Sequence, residues 1–356
     1  MKRKIKLLIL PLAALLSACQ LFLGLEHDPS PSEVLKSLWT DFNNIHANLD
    51  FRMSNNLNYN SWYDVYHNEQ DGYAKKVYPD MSENALFNLC ANMLKELNDP
   101  HVALYAPGRS SSSYNGSYEN VSTAKDVNYS YTNFAFGRFP DSDIGYIYIS
   151  AFINEDAKGK TEENGQEWGR VIDKIIESLA NTKALVLDIR NNRGGELYSM
   201  EYIAARFASE QKDYAKARIK IGPKQSDLSA PIIYTVKSVS KASGNKYGYT
   251  KPIVLLTNKG TVSAGEWFTL ALRTQKHVTH VGTPTCGALS TRNDRSMING
   301  WLYSISPERV TDMNGKYYEG IGISPYEEVS NSTTSQRDDE QLDYALKRAK
   351  ELAGEE

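Results

Sequence analysis

Cysteine is scarce in this chain of 356 residues, which carries only Cys19, Cys90 and Cys286. Cys19 belongs to a separate N-terminal signal, described below. The other two lie far apart and have neither a disulfide framework nor metal-ligand spacing. Cys90 falls in an apolar helical stretch and reads as core. Charge of one sign is also missing: a net charge of -3 leaves no electrostatic footprint for a nucleic acid. No P-loop, no His/Cys/carboxylate cluster and no basic stripe can be found, so nucleotide chemistry, metal catalysis and nucleic-acid binding have no support. Neither a metal nor a cofactor is expected. No internal repeat appears. The remainder, 41% apolar and 23% charged, suits a globular chain with one large domain or two smaller ones. Its 23 tyrosines point to no single role.

What is present begins with "MKRKIKLLILPLAALLSACQ". A basic segment at Lys2, Arg3, Lys4 and Lys6 precedes an apolar stretch from Leu7 to Leu16, too short for a spanning helix. Leu16-Ser17-Ala18-Cys19 resembles the lipobox of bacterial lipoproteins, which implies a signal peptide over residues 1–18 and lipidation of Cys19. Residues 19–31 then read as a tether. The expected location is extracytoplasmic, anchored by lipid to a bacterial membrane, with the outer membrane favoured and its periplasmic or surface face open. Acyl chains anchor firmly because each buried CH2 adds about 0.8 kcal/mol.

Beyond the tether, apolar spacing at Val34, Leu35, Leu38, Trp39, Phe42 and Ile45 predicts a helix, and a second set from Leu86 to Leu97 predicts another. Between them Trp62, Val65, Tyr66 and Tyr73 are expected to face inward, making residues 32–107 a small helical domain. Residues 108–142 read as a Ser/Gly-rich mobile linker and an entry strand. From 143 to 350 strands alternate with helices: "DIGYIYISAF", "KALVLDIRNN" and "PIVLLTN" are strands, and "GEWFTLALRT" is a helix. That pattern predicts an α/β fold with parallel core strands and packed helices, whose ligands lie beyond the strand carboxyl ends.

Two loops fall on that edge, "DIRNNRGGE" and "TNKGTVSAGE". In the second, Ser263-x-x-Glu266 is a capping-box pattern, by default a helix start. A serine nucleophile needs in addition a base and oxyanion donors. Gly194 and Gly195 can expose backbone N–H groups, or simply make a tight turn. The N–H of Ala264 lies at a helix N-terminus. Of six histidines, His101 in "LNDPHVALY" sits in a Pro-fixed loop between a helix and an apolar strand.

Taken in order, "LNDPHVALY", "IGYIYISAF", "KALVLDIRNNRGGE", "PIVLLTNKGTVSAGEWF", "VGTPTCGA" and "YYEGIGISP" resemble the S41 serine peptidases over roughly residues 84–330. The resemblance implies a ClpP/crotonase-like core. One branch of that family uses a Ser–Lys dyad, but here Ala288 follows Gly287 where the lysine would stand. The tricorn-like branch uses Ser and His assisted by Glu, implying Ser263 as nucleophile, His101 as base, Glu319 as the assisting acid, and an oxyanion hole from Gly194 or Gly195 with Ala264. Glu308, Asp312, Glu327 and Glu328 compete with Glu319. Two positions depart from the pattern: Pro100 replaces the auxiliary serine before the histidine, and Ile323-Ser324-Pro325-Tyr326 replaces the usual G-[IV]-x-P-D ending. Only about forty residues separate His101 from "DIGYIYISAF", too few for the PDZ domain of many members, so their tail specificity is not carried over. The implied function is a lipid-anchored serine endopeptidase acting on peptides or proteins. The alternatives are an inactive peptide-binding lipoprotein with the same cleft and a hydrolase of a non-peptide ester or amide. Cys286 is expected near the cleft, not as nucleophile. Oligomeric state is not legible.

Overall fold

The computed structural model describes residues 28–114, 116, 121, 124, 129–131, 133–153, 166–239, 248–332 and 339–355. Its first helix, α1 (Pro31–Ile45), starts where Ser30 and Glu33 form a capping box and proline occupies the first turn. Val34, Leu35, Leu38 and Phe42 form its buried stripe. Two short helices follow, α2 (Leu49–Ser54) and α3 (Trp62–His67), then α4 (Glu83–Lys95). The sequence pattern does not announce α2, because its six residues are too few for an apolar period to show. Trp62, Val65, Tyr66 and Tyr73 are buried, as their spacing predicted.

Packing joins this helical unit to chain that comes much later. Strand β1 (Ala103–Ala106) pairs with β2 (Arg109–Ser112) on one side and β12 (Leu302–Ile305) on the other; β11 (Asn293–Ser296) completes a four-stranded antiparallel sheet. Met297, Trp301, Tyr303 and Ile305 share one core with α1 and α4. Part of the Ser-rich segment read as a mobile linker is therefore strand, with Ser110, Ser111 and Ser112 in register with Tyr105, Leu104 and Ala103 of β1.

A seven-stranded sheet organises the rest. The strands β5 (Ile144–Ile149), β6 (Ala184–Asp188), β9 (Ile253–Thr257), β10 (Val278–Gly282) and β14 (Glu327–Glu328) run parallel, and β4 (Phe134–Arg138) and β3 (Tyr129–Tyr131) extend it antiparallel. Every residue of β6 and β9 is buried, because both faces are covered, and unbroken apolar runs result. Leu185, Leu187, Ile253 and Leu255 face α5 (Gln166–Ser178), α6 (Leu197–Phe207) and α7 (Ala264–Arg273). The alternate residues Val186, Val254 and Leu256 face α8 (Glu340–Ala353). A third, antiparallel sheet holds β7 (Lys212–Ile219) between β8 (Ile232–Val236) and β13 (Glu308–Asp312). The mixed α/β fold with a parallel core, preceded by helices, is the one the sequence predicts. No helix among the described residues is long and apolar enough to cross a membrane.

Candidate active site

Strands β6 and β9 are neighbours, so their carboxyl-end loops lie side by side. Asparagines zip the two loops together. Asn258 Oδ1 accepts the Asn191 N–H at 2.8 Å and the Gly260 N–H at 3.0 Å. Thr261 Oγ1 donates to the Ile189 carbonyl at 2.9 Å, and the Val262 N–H donates to the Asn192 carbonyl at 2.9 Å. The pairing brings the double glycine against Ser263. A Cβ on Gly194 would stand 2.7 Å from Ser263 Cβ and 3.1 Å from Ala264 N; a Cβ on Gly195 would stand 2.3 Å from the Phe152 carbonyl oxygen. Both positions therefore exclude any side chain, a stronger requirement than that of a tight turn alone.

Ser263 is half-buried and has φ 57° and ψ -121°, a conformation that an L-residue with a Cβ rarely adopts. It is the N-cap of α7, where the Glu266 N–H donates to the Ser263 carbonyl at 2.8 Å and the Ser263 N–H reaches Glu266 Oε2 at 3.3 Å. The carboxylate arm of the capping box is thus present. That carboxylate also accepts from Thr285 Oγ1 at 2.6 Å and from the N–H groups of Gly287 and Ala288 at 2.7 Å each. Burial pushes the Glu266 carboxyl above its ordinary range, and these four donors oppose the shift. Glu266 so fastens the loop after β10 to the turn that carries Ser263. Cys286 N–H adds a bond of 2.9 Å to the Thr261 carbonyl.

Of the expected oxyanion donors, the Gly194 N–H is already engaged by Asn192 Oδ1 at 2.9 Å. Among the described residues no hydrogen bond engages the N–H groups of Gly195 and of Ala264, the latter in the first turn of α7.

His101 follows α4 in a turn built on Asp99. Ser113 Oγ accepts the Asp99 N–H at 3.0 Å, and Asp99 Oδ1 accepts the His101 N–H at 2.8 Å. The imidazole is buried, and its Nδ1 has no hydrogen-bond partner among the described residues. Burial holds its pKa below the ordinary 6.5, with Asp99 pulling upward and Arg52 downward, so the ring is neutral, and able to accept a proton, at pH 7.

Glu319 is buried, but it does not meet His101. It accepts from Arg52 Nη2 at 2.6 Å and from the N–H groups of Leu289 and Ser290 at 3.0 and 3.4 Å. Burial raises its carboxyl to about 7, with Arg52 opposing. Of its competitors, Glu308 accepts the Thr291 N–H, Asp312 closes the turn at Asn314 and Lys316, Glu327 pairs with Arg348 and Glu328 is exposed. The carboxylate that lies closest to the histidine along the chain is Asp99, in "LNDPHVALY". Asp99 Oδ2 accepts from His46 Nε2 at 3.0 Å and Ser306 Oγ at 2.9 Å, while Arg52 Nη2 stands 3.6 Å from Oδ1. Both Asp99 and Arg52 were missed in the sequence. The sequence carries no signal for either: Asp99 stands in Asn98-Asp99-Pro100-His101 and Arg52 in Asp50-Phe51-Arg52-Met53-Ser54, both mixed stretches that read as surface.

Cys286 is buried with Sγ 3.6 Å from Tyr114 Oη, and burial pushes its thiol up to about 12, which keeps it un-ionised. Ala288, where the sequence resemblance expects no lysine, is buried. Lys259, near Ser263 in sequence, directs Nζ to the carbonyls of Cys286 and Thr285 at 2.9 and 3.3 Å. No cluster of metal ligands occurs among the described residues. Cys19 lies outside them.

The parallel sheet thus presents a strained serine at a strand-to-helix turn, against two glycines. The family model of peptidase family S41 matches residues 143–329, and the chain belongs to that family. Among relatives, the carboxy-terminal processing protease CtpA of Bacillus subtilis is 26% identical over 190 residues, which is 53% of this chain and 36% of that protein. CtpB of the same organism is 24% identical over 240 residues, 65% of this chain and 45% of its own length. The nisin-resistance protein of Lactococcus lactis is 25% identical over 155 residues, 44% and 49% of the two chains. The chain thus spans less than half the length of these relatives. Among solved structures, a Parabacteroides merdae protein described only provisionally as a peptidase superposes with TM-score 0.74 at 22% identity, covering 90% of this chain and 97% of its own. Mature CPAF complexed with lactacystin gives TM-score 0.64 at 13% identity, with 91% and 99% covered. These two likenesses concern the fold.

Proposed function

We propose that the protein is a serine endopeptidase that cleaves peptide or protein substrates through an acyl-enzyme on Ser263. The reading rests above all on one observation: Ser263 is held at φ 57° against the backbone of Gly194. A cap residue has no need of such a conformation, whereas a nucleophile presented at the head of a helix does.

In the proposed reaction His101 takes the proton from Ser263 Oγ as the oxygen bonds to the scissile carbonyl carbon. The N–H groups of Gly195 and Ala264 receive the negative charge that forms on the carbonyl oxygen. Collapse breaks the C–N bond, and His101 returns the proton to the departing amine. Water, deprotonated by the same ring, then releases the acid and restores the serine. Glu319 supports this arrangement through Arg52 and the N–H groups of Leu289 and Ser290 rather than by touching His101. Lipidation of Cys19 and attachment to a bacterial envelope membrane form part of the proposal, supported by the lipobox-like sequence.

The test is intact-mass labelling by a fluorophosphonate of a protein beginning at residue 20, followed by turnover of peptide libraries. A single adduct on wild type that is lost in Ser263→Ala and slowed at least about a thousandfold in His101→Ala is the expected result. A well-folded wild type that takes no adduct and cleaves no peptide would remove the assignment. For the anchor, full-length protein and Cys19→Ala are compared by detergent partition; equal partition would refute lipidation.

A further inference from the structure

Arg52 lies outside the matched segment 143–329, on the short helix α2 of the N-terminal unit. Its buried guanidinium nevertheless reaches three separate parts of the site. Nη1 donates to the Asn98 carbonyl at 3.0 Å, and Nη2 donates to the Gly287 carbonyl at 3.2 Å and to Glu319 at 2.6 Å. Nη2 also stands 3.6 Å from Asp99 Oδ1. Asn98 and Asp99 make the turn that carries His101, and Asp99 holds the histidine's own N–H. Gly287 belongs to the loop whose N–H groups Glu266 grips, and Glu266 also accepts the Ser263 N–H. One side chain therefore bridges the turn of the base and the loop fixed to the helix of the nucleophile.

Resting on the assignment of Ser263 and His101 above, we propose that Arg52 is a positioning residue, which with Asp99 sets the His101 turn in register with the Ser263 helix. Stability is a weak reason for such a group, since desolvating an arginine and two carboxylates offsets most of the gain from pairing them. Geometry is a better one. A planar fork with several donors can satisfy two carbonyls and a carboxylate in fixed directions, which a lysine cannot. The N-terminal unit would thereby complete the active site.

The charged and titratable groups that face His101 are Asp99 from its own turn, Arg52 from α2, Arg292 from the segment before β11, and His46 from the end of α1. Asn48 N–H donates to His46 Nδ1, so the His46 proton sits on Nε2 toward Asp99 and that ring is neutral. Removing the Arg52 charge should therefore raise the His101 pKa, and removing the Asp99 charge should lower it. These opposite signs separate an effect on the base from a general loosening.

The experiment measures the second-order rate of fluorophosphonate labelling at Ser263 from pH 5 to pH 9, with near-ultraviolet circular dichroism to establish the fold. Arg52→Lys keeps the charge and loses the fork, so it should label about a hundredfold more slowly with its acidic midpoint unmoved, the cost of about 1 Å of misplacement. Arg52→Gln should move the midpoint to higher pH, and Asp99→Asn to lower pH. Wild-type labelling in Arg52→Lys, or midpoints that stay in place or move together, would overturn the inference. Should Arg52→Gln fail to fold, the rate of Arg52→Lys and the midpoint of Asp99→Asn decide the matter. A wild type that does not label at all defeats the earlier assignment instead, and is distinguishable for that reason.

Discussion

Replacing Ser263 with glycine or with alanine removes the same hydroxyl, but the two variants should differ in stability. At φ 57° and ψ -121° the backbone occupies the region of a type II′ turn's first central residue, which glycine enters freely and a residue with a Cβ enters under strain. Such strain amounts to about 1–3 kcal/mol. Glycine recovers it, but its larger unfolded-state freedom costs about 0.5–1 kcal/mol. Losing a half-buried methyl costs about 0.4 kcal/mol, half the cost of losing a fully buried one. The balance favours Ser263→Gly over Ser263→Ala by about 1 kcal/mol, or about 2 °C in melting temperature for a chain of this size. Differential scanning calorimetry and urea unfolding of both variants at pH 7 measure the difference. Alanine is the internal control, since it lacks the hydroxyl yet keeps the Cβ. Alanine as stable as glycine, or more so, would show that the turn stores no strain. Ser263 would then be an ordinary cap rather than a presented nucleophile, whatever the two variants do to activity.

Two further outcomes are expected. Cys286→Ala should label with fluorophosphonate at close to the wild-type rate, and wild-type Cys286 should resist iodoacetamide at pH 8, because its thiol is buried and held near 12; loss of labelling in this variant would make the thiol part of the chemistry. The second concerns pH and stability. His101, His46 and His280 have pKa values lowered by burial, so the unfolded chain binds more protons than the folded one, and stability should rise with pH up to about 6.5. Glu319, raised to about 7 from 4.5, acts in the opposite sense: the folded state holds the extra proton, and stability falls between those values. Glu319→Gln should therefore steepen the rise in melting temperature from pH 5 to pH 7, even if it lowers the absolute value. An unchanged slope would mean that Glu319 is ionised throughout, with Arg52 dominating burial.

The sequence revealed best what repeats locally. Strands β6 and β9 read as buried because helices on both faces remove any polar alternation, and Ser263 read as a helix start because a cap acts within three residues. The double glycine was legible as a special turn, but its reason, the approach of Ser263 Cβ across two loops, required the pairing of β6 with β9. The boundary of the helical unit was only half visible. Its core takes Trp301 and Tyr303 from some two hundred residues away, and no period in either segment encodes that meeting. The same limit explains Glu319. A buried glutamate near the end of a peptidase-like chain invites pairing with the one well-placed histidine, yet a carboxylate is claimed by whichever cation burial brings to it. Here that cation is Arg52, on a six-residue helix too short to show its face. Once Arg52 is engaged, Asp99 is left to frame His101 from two residues away, through the histidine's backbone rather than its ring. The Nδ1 of His101, unpartnered among the described residues, follows from that allocation of charge: Asp99, the carboxylate that faces the ring, is held by His46, Ser306 and Arg52.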